Sequence, residues 1–132
     1  MYLVDTSVWI DFLRKRDNPP VARFLELTEQ SIPFGITGVI YQEVLQGAET
    51  ERDFERLRDH LSTQRFYHPH DPVTSYLGAA QLYFQCRRQG VTLRSTIDCL
   101  IAQIAIEYEL KLLHNDSDFE RIANVVSDLK LA

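Results

Sequence analysis

Positive charge is scarce in this sequence of 132 residues, where 19 Asp and Glu outweigh 14 Lys and Arg and leave a net charge of −5. A broad basic surface for nucleic-acid phosphates is thereby excluded, although a local basic patch is not. Apolar runs are short, and none approaches the ~20 residues needed to span a bilayer, so no membrane segment is expected. Met1 leads at once into a β-favouring apolar run, which leaves no room for the charged and apolar regions of a signal peptide; a cytoplasmic protein is expected. Cysteine is limited to Cys86 and Cys99, both inside apolar helical patterns and without a C-x-x-C pairing, so buried thiols are expected rather than a disulfide or zinc site. No G-x-S-x-G elbow occurs, and no histidine has an evident serine partner, which argues against a Ser-His-Asp hydrolase. His68-Pro69-His70-Asp71-Pro72 lacks a third metal ligand and reads as a loop. With no repeat, low-complexity tract or linker, a single domain over residues 1–132 is expected.

What is present is an alternation of short strands and helices. Tyr2, Leu3 and Val4 form a β-favouring run that stops at Asp5-Thr6-Ser7, after which Val8, Trp9, Phe12 and Leu13 recur at helical spacing. Asp5 therefore stands at the C-terminal end of a strand, where open α/β sheets bind ligands. The plainer reading is that Asp5, Thr6 or Ser7 caps the helix. A helix follows Pro19-Pro20, then a short strand within residues 32–37, and a helix from Gly38 to Gly47 that carries Glu43. Residues 50–64 predict a charged amphipathic helix; Phe66-Tyr67 a brief strand; Val73–Gln89 a long helix ended by Gly90, with Tyr76, Leu77, Tyr83 and Phe84 on its apolar side. The most apolar helix runs from Ser95 to about Leu110, and Lys111–His114 forms a strand that again ends in acids, Asp116 and Asp118. A short helix around Phe119 and Ile122 and an edge strand within residues 125–131 complete the chain. The class is α/β, with a central, mostly parallel, short-stranded sheet and helices on both faces.

Each acid has an ordinary explanation on its own. Ser95 with Asp98, and Ser117 with Glu120, show capping-box spacing, and Glu43 fits a solvated helix face. Together they are harder to dismiss, because Asp5 and Asp116 end strands while Glu43 and Asp98 ride helices that start near the same sheet edge. Four converging carboxylates persist only with raised pKa values or a bound cation. An all-oxygen site favours Mg²⁺ or Mn²⁺, the ions of phosphodiester chemistry. Arg14, Lys15, Arg16 and Arg87, Arg88, Arg94 form two basic clusters, each read as a solvated helix end.

Four ordered segments carry a family resemblance: Val4-Asp5-Thr6-Ser7-Val8-Trp9-Ile10, residues 37–47 (Thr37 to Gly47), residues 95–102 (Ser95 to Ala102) and His114-Asn115-Asp116-Ser117-Asp118-Phe119. In these the chain resembles the PIN-domain ribonucleases, specifically VapC toxins of bacterial and archaeal toxin–antitoxin pairs. The resemblance implies a metal site of Asp5, Glu43, Asp98 and Asp116, with Asp118 a secondary acid and Thr6 and Thr96 near the cluster. It implies endoribonuclease activity by water activated on one or two Mg²⁺ or Mn²⁺ ions, leaving a 5′-phosphate and a 3′-hydroxyl. It also implies a homodimer, for which the aromatics from Tyr76 to Phe84 together with Trp9 and Phe12 offer apolar surface. A small antitoxin is the implied partner, expected to insert an Arg or Lys in place of the cation. An aspartyl-phosphate phosphatase would place a second acid where Ser7 stands, and a receiver domain would place paired acids before the first helix; neither fits. The remaining alternative is a catalytically silent RNA- or protein-binding module of the same fold.

Overall fold

A computed structural model describes Met1–Ala132 throughout. In chain order the elements are β1 (Tyr2–Val4), α1 (Thr6–Leu13), α2 (Pro19–Glu29), β2 (Phe34–Ile36), α3 (Gly38–Gln46), α4 (Glu51–Leu61), β3 (Arg65–Phe66), α5 (Pro72–Arg88), α6 (Thr96–Glu107), β4 (Lys111–Leu113), α7 (Ser117–Val125) and β5 (Lys130–Leu131). The sheet is parallel at every pairing, in the order β3-β2-β1-β4-β5. The chain steps outward from β1 to β2 and β3, then crosses to the other side of β1 for β4 and β5. Right-handed crossovers therefore place α1–α4 on one face and α5–α7 on the other. Most helix contacts divide the same way, α1 meeting α2 and α3 while α5, α6 and α7 meet one another, and α3 also touches α6. The direction of winding reverses between β1 and β4, and the crevice beyond their C-terminal ends is where open α/β sheets place a site.

Strand residues Leu3, Val4, Ile36, Leu112 and Leu113 are buried, as expected for short strands covered on both faces. Gly35 is dictated by packing: a Cβ there would lie 2.5 Å from the Arg65 carbonyl oxygen and 2.6 Å from the Tyr67 ring. Four helices, α1, α2, α5 and α6, end in Schellman geometry, in which the amide two beyond the C-cap reaches the carbonyl five residues back. The bonds are Arg16 to Asp11, Ile32 to Leu27, Val91 to Cys86 and Leu110 to Ala105, at 2.8–2.9 Å. The left-handed residue is Gly90 in one case and Lys15, Ser31 or Glu109 in the others.

Two expectations about packing need correction. Trp9 is 1% exposed and meets Phe24 edge-on at 4.8 Å, so it supplies no dimer surface, while Phe12 is half-buried and packs one side of its ring on Phe24. On α5 the buried face is Ser75, Ala79, Leu82 and Cys86, at helical spacing, whereas Tyr76, Leu77 and Phe84 are exposed. A small-residue face lets α5 approach α6 closely, and the large side chains are displaced outward. The third strand lies one residue earlier than expected, at Arg65–Phe66. Cys86 and Cys99 are buried free thiols, and burial pushes Cys99 up to about 12. No helix is long and apolar enough to cross a membrane.

Candidate metal centre

At the β1 end of the crevice, Asp5 is the N-cap of α1. Its backbone is extended, and its Oδ2 accepts from the Ser7 amide at 3.0 Å and the Ser7 hydroxyl at 2.6 Å. Asp5 therefore caps α1, as the plainer reading has it. The Asp5 amide donates to the Leu113 carbonyl at 2.9 Å, which fixes the residue beside the end of β4. Asp5 is 4% exposed, and burial raises its pKa, partly offset by the Ser7 bonds and reinforced by the charge of Asp116. Glu43 projects from α3, whose N-cap Thr37 accepts from the Ile40 amide at 3.1 Å. Thr6 Oγ1 donates to Glu43 Oε1 at 2.8 Å. Partial burial raises the Glu43 pKa, and Asp5 adds to the shift.

Asp98 stands in the first turn of α6, whose N-cap Ser95 accepts from the Ile97 amide at 3.2 Å. Its pKa is pushed up to about 7, first by burial and then by Asp5, Asp116, Asp118 and Glu43. All five acids therefore share one electrostatic environment. Asp116, not Ser117, is the N-cap of α7: its Oδ1 accepts from the Asp118 amide at 3.0 Å, while its own amide donates to His114 Nδ1 at 3.1 Å. Carboxylate oxygens of Asp98, Asp116 and Asp118 lie within 4.8 Å of one another. Asp118 is 1% exposed, and its Oδ1 has no hydrogen-bond partner although Arg121 Nη1 is 3.5 Å away.

Thr96 is not drawn into this group. It is exposed, forms no hydrogen bond with an acid, and lines an apolar groove of about 390 Å³ between α5 and α6 with Tyr76, Tyr83 and Ile97. The expected cluster of Arg87, Arg88 and Arg94 also divides. Arg87 and Arg88 close α5, whereas Arg94 pairs with Asp116 at 3.0 Å and Asp118 at 3.3 Å. The loop histidines stack on aromatic rings, His68 on Phe66 and His70 on Tyr108, as the sequence led one to expect of a loop.

Sequence reasoning passed over Asp11, which with Asn115 and Ser7 joins the two strand ends. Asp11, buried on α1, accepts from Asn115 Nδ2 at 2.8 Å, Asn18 Nδ2 at 3.0 Å and Arg16 Nη1 at 2.9 Å. The Asn115 amide donates to Ser7 Oγ at 2.9 Å, and Ser7 donates to Asp5. Those bonds, Asn115 first, hold the Asp11 carboxyl below its ordinary value. The available signal was a charged residue inside the apolar run Val8-Trp9-Ile10-Asp11-Phe12. An all-carboxylate donor set with one buried, unpartnered oxygen fits a hard divalent cation of the Mg²⁺ or Mn²⁺ kind.

The PIN domain family's sequence model matches residues 2–125. The chain is 32% identical over 131 residues to Ribonuclease VapC11 of Mycobacterium tuberculosis strain H37Rv, covering 96% of this chain and 95% of that one. Its fold is similar to VapBC2 from Rickettsia felis bound to a promoter DNA fragment, with a TM-score of 0.75 and 19% identity over 99% of this chain and 96% of that one. It is likewise similar to VapBC-1 from nontypeable Haemophilus influenzae, with a TM-score of 0.74 and 22% identity over the same shares.

Proposed function

The chain belongs to the PIN domain family, and from that premise we propose that it is a divalent-metal-dependent endoribonuclease, the toxin of a type II toxin–antitoxin pair. The observation that carries this reading is the convergence of Asp98, Asp116 and Asp118 within 4.8 Å, beside Asp5 and Glu43. Asp5, Glu43, Asp98 and Asp116 would hold Mg²⁺ or Mn²⁺, with Asp118 behind them. The chemistry such a cation supplies is polarisation of the phosphodiester and acidification of a water into a nucleophile.

The remaining work falls to the protein. Ser7 and Thr6 orient Asp5 and Glu43 so that their oxygens face the crevice with little freedom left to lose on binding. The Asp11–Asn115 link sets the spacing between the ends of β1 and β4, on which the separation of Asp5 from Asp116 depends. Asp98, whose pKa burial and its neighbours push up to about 7, would be the acid that yields a proton to a bound cation, so loading would release acid.

Similarity in fold to a toxin–antitoxin complex from Klebsiella pneumoniae supports a small antitoxin as partner. Exposed Val73, Tyr76, Leu77, Phe84 and Ile97 form an apolar surface that suits a second copy of the chain. The deciding experiment is incubation of purified protein with RNA and Mn²⁺, with Asp5→Asn prepared in parallel. Cleavage by the wild type alone is expected. Equal cleavage by both would assign the activity to a contaminant, and RNA binding without cleavage would make the protein a silent binding module.

A further inference from the structure

Two arginines reach the acids, and they are held differently. Arg121 Nη1 lies 3.5 Å from Asp118 Oδ1 without forming a hydrogen bond. Arg94 is anchored twice on the other oxygen of the same carboxylate: its backbone amide donates to Asp118 Oδ2 at 3.2 Å and its Nε at 3.3 Å. Asp118 is almost fully buried, so this anchor is rigid, yet the Arg94 side chain is 72% exposed. Nη2 donates to Asp116 Oδ1 at 3.0 Å, and Nη1 has no partner. The contact with Asp116 is expendable from the acid's side, because the same oxygen already accepts from the Asp118 amide as the cap of α7.

A phosphodiester approaching this crevice meets five carboxylates, and of the two arginines there Arg94 is the one held by hydrogen bonds while keeping a free donor. Its planar fork matches the non-bridging oxygens of a phosphate, which a point charge does not. A divalent cation on Asp116 would repel the guanidinium from that acid while leaving the Asp118 anchor intact. Resting on the ribonuclease reading, we propose that Arg94 is an exchanging cation: it neutralises Asp116 in the metal-free site and turns Nη1 and Nη2 to an RNA phosphate once a metal ion takes its place. Asp118 is then a positioning residue that keeps the guanidinium within reach of both partners.

The proposal demands two effects of opposite sign from one substitution. Arg94→Gln removes a competitor of the metal, so Mn²⁺ binding, measured by calorimetry on the full chain without RNA, should tighten by at least about twofold, the worth of an exposed ion pair. The same variant loses a phosphate contact. Its affinity for a short fluorescent single-stranded RNA, measured with Ca²⁺ in place of Mn²⁺ to suppress cleavage, should weaken about tenfold. The slope of log affinity against log salt should fall by about 0.7, the contribution of one phosphate contact on a single strand. Arg94→Lys should keep the salt slope and lose part of the affinity, since it retains charge without the fork. If Arg94→Gln does not fold, Arg94→Lys decides, and RNA binding equal to wild type overturns the role. A wild type that neither binds nor cleaves RNA overturns the ribonuclease reading and the role of Arg94 with it. A wild type that does both, beside an Arg94→Gln that binds Mn²⁺ no more tightly or keeps its salt slope, overturns the role of Arg94 alone.

Discussion

The two flanks of the crevice solve the same electrostatic problem by different means. On the β1 side, Asp5 and Glu43 are held by hydroxyls and an amide from Ser7 and Thr6, with no cation in contact, and burial raises both pKa values. On the β4 side, Asp116 and Asp118 are held by guanidinium groups. On the first flank burial favours the protonated form of both acids, whereas the second borrows a cation from its own chain. Asp98, between them, feels the charge of both.

The largest effects should come from removing a ligand on either flank. Asp5→Asn and Asp116→Asn should each lower Mn²⁺-dependent RNA cleavage more than about a hundredfold, because even the outer partners of metal ligands cost ten- to a hundredfold. Metal-free melting should separate them: Asn keeps a capping acceptor at both sites, but only Asp5→Asn also removes a charge that burial disfavours. Asp5→Asn should melt no lower than wild type and Asp116→Asn at or below it; a lower melt for Asp5→Asn than for Asp116→Asn would erase the distinction. Next in size is the link between flanks. Asp11→Ala strands donors on Asn115, Asn18 and Arg16 and should cost about 2–3 kcal/mol in urea unfolding.

The flank that relies on protons also predicts a pH dependence. A carboxyl whose folded pKa exceeds its unfolded value binds its proton more tightly when folded, so its stabilisation is complete below the ordinary value of 3.8 and is lost as pH rises to about 7 for Asp98. Asp5 and Glu43 shift in the same direction. Asp11 shifts the other way and withdraws stability only as pH falls below 3.8. Metal-free protein should therefore resist urea better at pH 5 than at pH 8, and Asp98→Asn should narrow that gap. A gap of the same width in the variant would place the titration elsewhere. The smallest effect is expected from Arg121→Gln, whose exposed pairing should be worth less than about 1 kcal/mol in unfolding, with Mn²⁺ affinity moving less than in Arg94→Gln.

Alternating strands and helices were legible because each apolar run ended in a signal that only one kind of element uses, as at Asp5 and Gly90. The same alternation led one to expect a mostly parallel sheet, and every pairing is parallel. The ends of α1, α2 and α6 were harder to read, since Lys15, Ser31 and Glu109 adopt the left-handed turn that sequence patterns assign to glycine. Asp5, Glu43, Asp98 and Asp116 could be grouped from sequence because two of them end strands and the other two ride helices that begin near the same sheet edge. The outward turn of Tyr76 and Phe84 was not, because it depends on how closely α5 and α6 approach, which helical spacing alone does not specify. Arg94 was hidden for a related reason: beside Arg87 and Arg88 it looked like one more helix-end charge, and only the fold carries Asp118 back to meet it.

The central place of β1 imposes an order on synthesis. Its neighbour β4 lies near the other end of the described chain, so the strand that carries Asp5 is made early and completed late. Asp116 emerges roughly 110 residues after Asp5, which at ~5–20 residues per second is a wait of about 6–20 s. Throughout that interval the nascent chain holds Asp5, and for its last two-thirds Glu43, yet it lacks both the strand that fixes Asp5 in place and the buried carboxylate that anchors Arg94. A ribosome stalled within it would release a chain without an assembled carboxylate crevice, so the activity proposed for this protein would belong to finished chains alone.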